Sequence, residues 1–352
     1  MTFNQAMVAN SICSPSRATL LTGKYSHKNG VTKLSQSFNG AQQTFPKLLQ
    51  KSGYQTAIIG KWHLESVPTG FDYFSVMKGQ GRYNDCPFRE RGVDGKVHNV
   101  PTKGYVTDVL TDKSLAWLKQ RSFDDPFCLM IHHKAAHGPH DPAPRHKNLF
   151  KNDTLPEPSS LLDDYKGRAP AVIAKRVAWS RLMLCDQPYK QYRKVGKQRI
   201  GNRDEDTRMM YQAFMKGYLR LVASLDENVG RVLDYLEESG LSKNTIVIYC
   251  SDNGFFNGEH GFYNKMWMYE PSLRIPLLIR GPNIKAKSET NEFACMMDVA
   301  PTLLDYARCN IPDDMQGKTL RPLPEYKQLQ MKLSNQLRAL IDHYADTVSI
   351  KQ

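Results

Sequence analysis

Four short, almost uninterrupted apolar runs constrain this chain most: "YQTAIIG" (54–60), "PFCLMIHH" (126–133), "NTIVIYC" (244–250) and "RIPLLIRGP" (274–282). A strand with one wet face alternates apolar and polar residues. A run that is apolar at nearly every position needs cover on both faces. Helical patterns separate the runs and can supply that cover. "TFPKLLQKSG" reads as a short helix capped by Thr44 and stopped by Gly53. "VTDVLTDKSLAWLKQRS" carries Val109, Leu110, Leu115 and Leu118 at helical spacing. A long amphipathic helix is expected from about Thr207 to Glu238, with Phe214, Leu221, Leu225, Val229, Leu233 and Leu236 on one face and Gly240 ending it. The pattern predicts an α/β sheet covered by helices on both sides. With 352 residues, 40% hydrophobic and 24% charged, the chain can build one large or two medium domains. The Pro-, Asp- and Lys-rich stretch from Asp141 to Asp206 reads as a long surface excursion.

Three of the apolar runs lead directly into reactive side chains: Lys61 and His63 after the first, His137 and His140 after the second, Asp252 and Asn253 after the third. In open α/β sheets ligands bind beyond the carboxyl ends of strands, so these clusters should converge. The chain carries 48 Lys and Arg against 35 Asp and Glu, a net charge of +13 that favours an anionic partner. Its densest basic run, Lys190 to Arg208, holds seven cations in a turn-prone stretch with affinity for polyanions. No recognition-helix, zinc-finger or aromatic-interleaved pattern accompanies it, which argues against nucleic acid as the ligand. Cysteines stand at 13, 86, 128, 185, 250, 295 and 309, none closely paired, which excludes zinc knuckles and CxxC redox motifs. No apolar run reaches the about 18 residues of a membrane span. The opening "MTFNQAMVAN" lacks the basic and apolar regions of a signal peptide.

The stretch "SICSPSRATLLTG" (11–23) places Cys13 just before a helix start marked by Pro15, with Arg17 one turn on. Orphan amides and a fixed cation suit an anion there, and a thiolate nucleophile is one reading. A cysteine phosphatase needs a longer loop between Cys and Arg, and the papain-type cysteine signature is missing. A buried structural thiol beside a capped helix remains an alternative.

The full run "CSPSRATLLTG" resembles the signature of the type I sulfatase family, within the alkaline-phosphatase-like superfamily. The family's other motifs recur in order as "GKWHL" from Gly60, "HGPHDP" from His137 and "SDNGFFNGEHGFYNK" from Ser251 to Lys265. The stretches "KAAHGPHDPAPRHKNLF", "ASLDENVGRVLDYLEESG" and "MYEPSLRIPLLIRGP" bring it closest to the N-acetylglucosamine-6-sulfatase-like, mucin-desulfating branch.

The resemblance implies an alkaline-phosphatase-like α/β fold: a mixed, mostly parallel sheet sandwiched by helices. A catalytic domain is expected over 1–323 with its first strand missing, and a helix over 324–352 as a remnant of the small C-terminal subdomain. Cys13 would be converted to formylglycine by a formylglycine-generating or anaerobic sulfatase-maturating enzyme. Its hydrated aldehyde, bound to calcium, would attack the sulfur of a sulfate ester. Arg17 would hold the hydrated aldehyde, while Lys61 and Lys265 would bind sulfate oxygens. His63 would take a proton from the second hydroxyl. His140 would hydrogen-bond sulfate, and His137 and His260 would be substrate or supporting groups. Asp252 or His140 would protonate the leaving sugar oxygen. Cys13, Asp252 and Asn253 would ligate the metal, and two further aspartates that the family carries upstream are absent. A metal site lacking them should be weak. The implied substrate is a sulfated glycosaminoglycan or mucin-type glycan, and the implied setting is periplasmic, secreted or lysosome-like. The rivals are a phosphoesterase of the same superfamily and a sulfatase-derived glycan-binding protein without catalysis.

Overall fold

The strand Gln55–Lys61 is buried at six of its seven positions, which accounts for its continuous apolar run. The strand Leu277–Arg280 alternates buried and exposed residues, with Leu278 42% exposed, so its run is apolar without being covered on both faces. The computed structural model describes residues 1–168, 192–198 and 200–321. In chain order the elements are β1 (Thr2–Met7), α1 (Cys13–Thr22), α2 (Ser26–Asn29), α3 (Phe45–Lys51), β2 (Gln55–Lys61) and β3 (Tyr73–Met77). They continue with β4 (Phe88–Arg91), β5 (Val97–Val100), α4 (Val106–Gln120), β6 (Phe127–His132), α5 (Arg193–Gly196), α6 (Arg203–Glu238) and β7 (Val247–Cys250). The last are β8 (Phe256–Asn257), β9 (Tyr263–Asn264), α7 (Glu270–Leu273), β10 (Leu277–Arg280), β11 (Glu289–Cys295) and α8 (Val299–Tyr306).

The expected α/β class holds, with mixed pairing. One sheet runs β11-β1-β10-β7, with β1 parallel to β11 and antiparallel to β10, which is antiparallel to β7. A second runs β5-β4-β3-β2-β6, with β2 parallel to both β3 and β6 and the outer pairings antiparallel. The residues before Cys13, to which the sequence pattern assigned no element, form β1. Its Phe3, Ala6 and Val8 enter the main core with Ile58, Phe74, Met130 and Leu277. The long helix starts one turn earlier than its apolar spacing suggests, because the Asn202 side chain caps it by accepting from the Asp204 and Glu205 amides. The stretch after Asp141 carries a short turn of 3₁₀ helix at Pro144–His146 and no other helix or strand up to residue 168. Part of the basic run 190–208, and the helix expected over 324–352, lie outside the described residues.

The strand β2 depends on one glycine. Gly60 has φ +114°, and a Cβ there would fall 2.1 Å from the His132 carbonyl oxygen of β6. Only a residue without a side chain lets β2 and β6 pair this close to the site. Gly60→Ala is expected to destabilise the fold by about 2–4 kcal/mol through strain and displacement of β6, measured as a shift in urea midpoint at unchanged m-value.

Candidate active site

Helix α1 begins at Cys13 after an extended Ile12 (φ −158°, ψ 141°) that offers its first amides no side-chain cap. Ser14 Oγ donates to the His63 carbonyl at 2.7 Å, and Ser11 Oγ donates to the Ser272 carbonyl at 2.5 Å. These bonds pin the entry to the helix between the loop that follows β2 and the short helix α7. Cys13 is 1% exposed. Its Sγ accepts from Lys61 Nζ at 3.4 Å and Lys265 Nζ at 3.3 Å, and lies 3.8 Å from Asn253 Oδ1.

Arg17, one turn along α1, is also buried. Its Nε and Nη2 reach Asp252 Oδ2 at 2.9 and 2.8 Å. Its Nη1 donates to the Lys61 carbonyl at 2.6 Å and lies 2.9 Å from His132 Nδ1. One guanidinium thus joins the carboxyl ends of β2, β6 and β7, which is the convergence the strand-end clusters predicted.

The charges set the titration of the group. Burial and the Asp252 carboxylate push the Cys13 thiol up. Lys61, a hydrogen bond with His63, and Lys265 pull it down, leaving it at about 6. Burial also raises the Asp252 carboxyl, but Arg17, Lys61 and Lys265 outweigh it and hold that group well below the usual carboxylate range. Burial lowers the Lys61 ammonium against the pull of Asp252 and Cys13. His132, pushed down to about 3 by burial and Arg17, is neutral and accepts from the guanidinium.

Of the residues the sequence singled out, Cys13, Arg17, Lys61, His63, Asp252, Asn253 and Lys265 are brought together. His137 lies in the same field: burial, then Lys61 and Lys265, push its imidazole down to about 2, and its Nδ1 donates to the Gly138 carbonyl at 2.8 Å. His140 is buried against aromatic side chains. Its Nδ1 hydrogen-bonds Tyr192 Oη at 2.7 Å, and its ring packs 4.6 Å from Phe214 and 6.0 Å from Tyr218. These contacts seat the second histidine of "HGPH" among Tyr192 and the aromatic side chains of α6. Arg17, Lys61 and Lys265 keep the Asp252 carboxyl ionised, which argues against it as the proton donor to a leaving oxygen. His260 pairs with Asp163 at 2.8 Å, outside the thiol's immediate shell.

Two residues were missed. His132 could have been suspected as the polar end of an apolar strand. Lys134 sits in the loop after β6, is 2% exposed, donates to the Gly138 carbonyl at 3.1 Å and lies over the Tyr83 ring at 5.0 Å. Burial, then Lys61, pushes its amine down to about 8.

Cations that outnumber carboxylates around a reactive thiol, placed where strand ends meet, mark an α/β fold built around an anion site. The chain belongs to the sulfatase family, which it matches over residues 1–309. It is 43% identical to an N-acetylglucosamine-6-O-sulfatase of Bacteroides thetaiotaomicron, over 92% of this chain and 64% of that protein. It is 29% identical to the N-acetylglucosamine-6-sulfatase of Homo sapiens, over 92% of this chain and 58% of that one. A solved structure of a protein in complex with its substrate D-glucosamine-2-N,6-O-disulfate superposes with a TM-score of 0.85 at 42% identity, covering 91% of this chain and 72% of that chain. The chain thus spans about two thirds or less of the curated relatives' length.

Sulfatases generally use formylglycine and a divalent metal, and Cys13 is where the aldehyde would stand. The described residues do not by themselves fit the metal. A hard divalent cation takes six or more oxygens, several from carboxylates. Here the one carboxylate, Asp252, already binds Arg17 and lies 3.8 Å from Lys61 Nζ. Among the described residues no three His, Cys, Asp or Glu side chains converge on a common point.

The thiol makes a direct test. Its ultraviolet thiolate signal, with Cys13→Ala as baseline, should titrate with a midpoint of about 6. Lys265→Met or Lys61→Met should move that midpoint up toward the ordinary thiol value, reducing the thiolate fraction near neutral pH. A midpoint unmoved in both variants would rule out the two lysines as its cause.

Proposed function

We propose that this chain carries the nucleophile and sulfate-binding half of a sulfuric ester hydrolase acting on a sulfated amino sugar. The carrying observation is the pair of buried ammonium groups, from Lys61 and Lys265, on the side chain of residue 13. Formylglycine at that position supplies a hydrated aldehyde as the attacking oxygen. Lys61 and Lys265 neutralise the oxygens of a sulfuryl group held there. His63, hydrogen-bonded to residue 13, is the base for its second hydroxyl. Arg17 holds Asp252 and the end of β2 in place, and His137, in the field of the same two lysines, faces the sulfate oxygens. The relatives named N-acetylglucosamine-6-sulfatase support a 6-sulfated glucosamine, in a glycosaminoglycan or mucin-type glycan, as the substrate. A periplasmic or secreted setting and a maturating enzyme for Cys13 belong to the same reading.

The metal carboxylates, in this reading, come from a further strand. Among the described residues β6 and β7 each have one unpaired edge. Cys128 and Met130 of β6 pack in the same core as Ile248 and Cys250 of β7. Arg17 touches the ends of both. A guanidinium with a hydrogen bond on each side spans roughly 8 Å, close to two strand spacings of about 4.8 Å. One added strand would join the two sheets, and carboxylates at its end would meet Asp252, Asn253 and residue 13.

Expressed with a maturating enzyme, the protein should show the mass change of thiol-to-aldehyde conversion in the tryptic peptide containing residue 13. It should hydrolyse a 6-sulfated N-acetylglucosamine and not the corresponding phosphate ester. Lys61→Ala and Lys265→Ala should each lower kcat by about 10²–10³. An intact thiol with saturable glycan binding would instead favour a non-catalytic lectin. A form extended upstream by the added strand should respond to calcium in an aryl sulfate assay, while the 352-residue chain stays feeble. Equal activity of the two forms would refute the added-strand reading.

A further inference from the structure

The loop that delivers Lys265 also builds a surface the reaction does not use. Asn264 and Met266, on either side of Lys265, both hold left-handed backbone (φ 80° and 81°). Neither is a glycine, so the turn is held against its intrinsic preference. It sends Lys265 inward to the Cys13 side chain and leaves Met266 and Met268 58% and 84% exposed. Trp267, between them, is half-buried and stacks on Phe262 (6.1 Å, 14°), which stacks in turn on Tyr165 (5.6 Å, 10°). Among the described residues Phe262 is the one ring against Trp267, so the indole ends the stack. Its backbone is tied to the site: the Trp267 amide donates to Ser272 Oγ at 3.3 Å, and Ser272 Oγ lies 2.7 Å from Ser11 Oγ, two residues before Cys13.

Beside this ledge is a polar cluster. Asp163 Oδ2 accepts from Arg168 Nη2 at 2.6 Å and from His260 Nδ1 at 2.8 Å. The His260 ring lies 5.6 Å from Tyr269, and Arg168 Nη1 donates to the Tyr269 hydroxyl at 3.2 Å. With Nδ1 committed to Asp163, Nε2 of the neutral His260 is left as an acceptor; the side chain is 24% exposed. A rigid aromatic plane next to fixed polar groups matches a pyranose ring, whose C–H faces are apolar and whose edge carries hydroxyls.

We propose that Trp267, with the His260–Asp163–Arg168 cluster, forms a saccharide subsite that seats a sugar ring of the sulfated glycan beside residue 13. The proposal rests on the reading of the Cys13 site as a sulfate site. It adds to that reading a contact made to the sugar rather than to the sulfate. Trp267 stacks on the ring, and His260 Nε2 accepts from a ring hydroxyl.

Calorimetric titration of the full chain separates the two. The probes are inorganic sulfate, a 6-sulfated N-acetylglucosamine disaccharide and its unsulfated counterpart. The wild type should bind the sulfated disaccharide about tenfold more tightly than sulfate, equivalent to ~1.4 kcal/mol. Trp267→Ala should lose most of that gain and leave sulfate affinity unchanged, Trp267→Phe should keep it, and His260→Gln should lose part. Disaccharide affinity unaltered in both Trp267→Ala and His260→Gln, with sulfate still bound, would overturn the subsite. An equal loss of sulfate and disaccharide binding in Trp267→Ala would do the same, by showing that the stack only supports the loop. If the wild type binds no sulfate, the anion site fails, and the subsite falls with it.

Discussion

The buried guanidinium of Arg17 is the constraint on which the rest of the site depends. Burying such a cation without partners would cost several kcal/mol, and here its donors are met by Asp252, the Lys61 carbonyl and a neutral His132. Those partners come from three strands and its own anchor from α1, so satisfying one side chain fixes four segments far apart in sequence. Lys61 and Asp252 are thereby placed within reach of residue 13, and Gly60 allows the β2–β6 approach that brings the Lys61 carbonyl and His132 to the same nitrogen.

Much of this was legible in the sequence because it is local. The apolar runs located the strands, whether buried throughout as in β2 or alternately exposed as in β10, and the polar residues that follow the first three runs lie at or near the site. The order of strands within the sheets could not be read, because pairing of β1 with β10 and β11 joins residues nearly three hundred positions apart. "HGPH" offers two histidines three residues apart, and nothing in that spacing reveals that the second packs against Phe214 and Tyr218. The stack of Tyr165, Phe262 and Trp267 was invisible for the same reason: no spacing connects its members.

Asp252 shows how one residue type can mean two things. A sequence motif presents it as a metal ligand, and its chemistry is right for a hard cation. In the structure its first obligation is to Arg17 and Lys61. The two roles are compatible only if further negative charge enters the site, because one carboxylate cannot offset a divalent ion and two fixed cations together. On the proposed reading, the edges of β6 and β7 that are unpaired among the described residues are where such charge would be supplied.

Under the same proposed reading, the charge balance also bears on the direction of catalysis. With an uncharged group at position 13, Arg17, Lys61 and Lys265 against Asp252 leave two positive charges among the described residues of the site. A sulfate ester carries one negative charge, and the sulfate released from it carries two. Charge therefore accumulates on the bound oxygens, as the ester bond breaks, toward the value that the protein already opposes. At 3.3–3.4 Å from residue 13, the two ammonium groups lie where that charge develops. They are buried, so little water screens them. Interactions that strengthen along the reaction lower its barrier, while those equal at both ends do not. The excess of buried positive charge is thus better matched to the breaking bond than to the resting substrate, and it needs no movement of the protein to act.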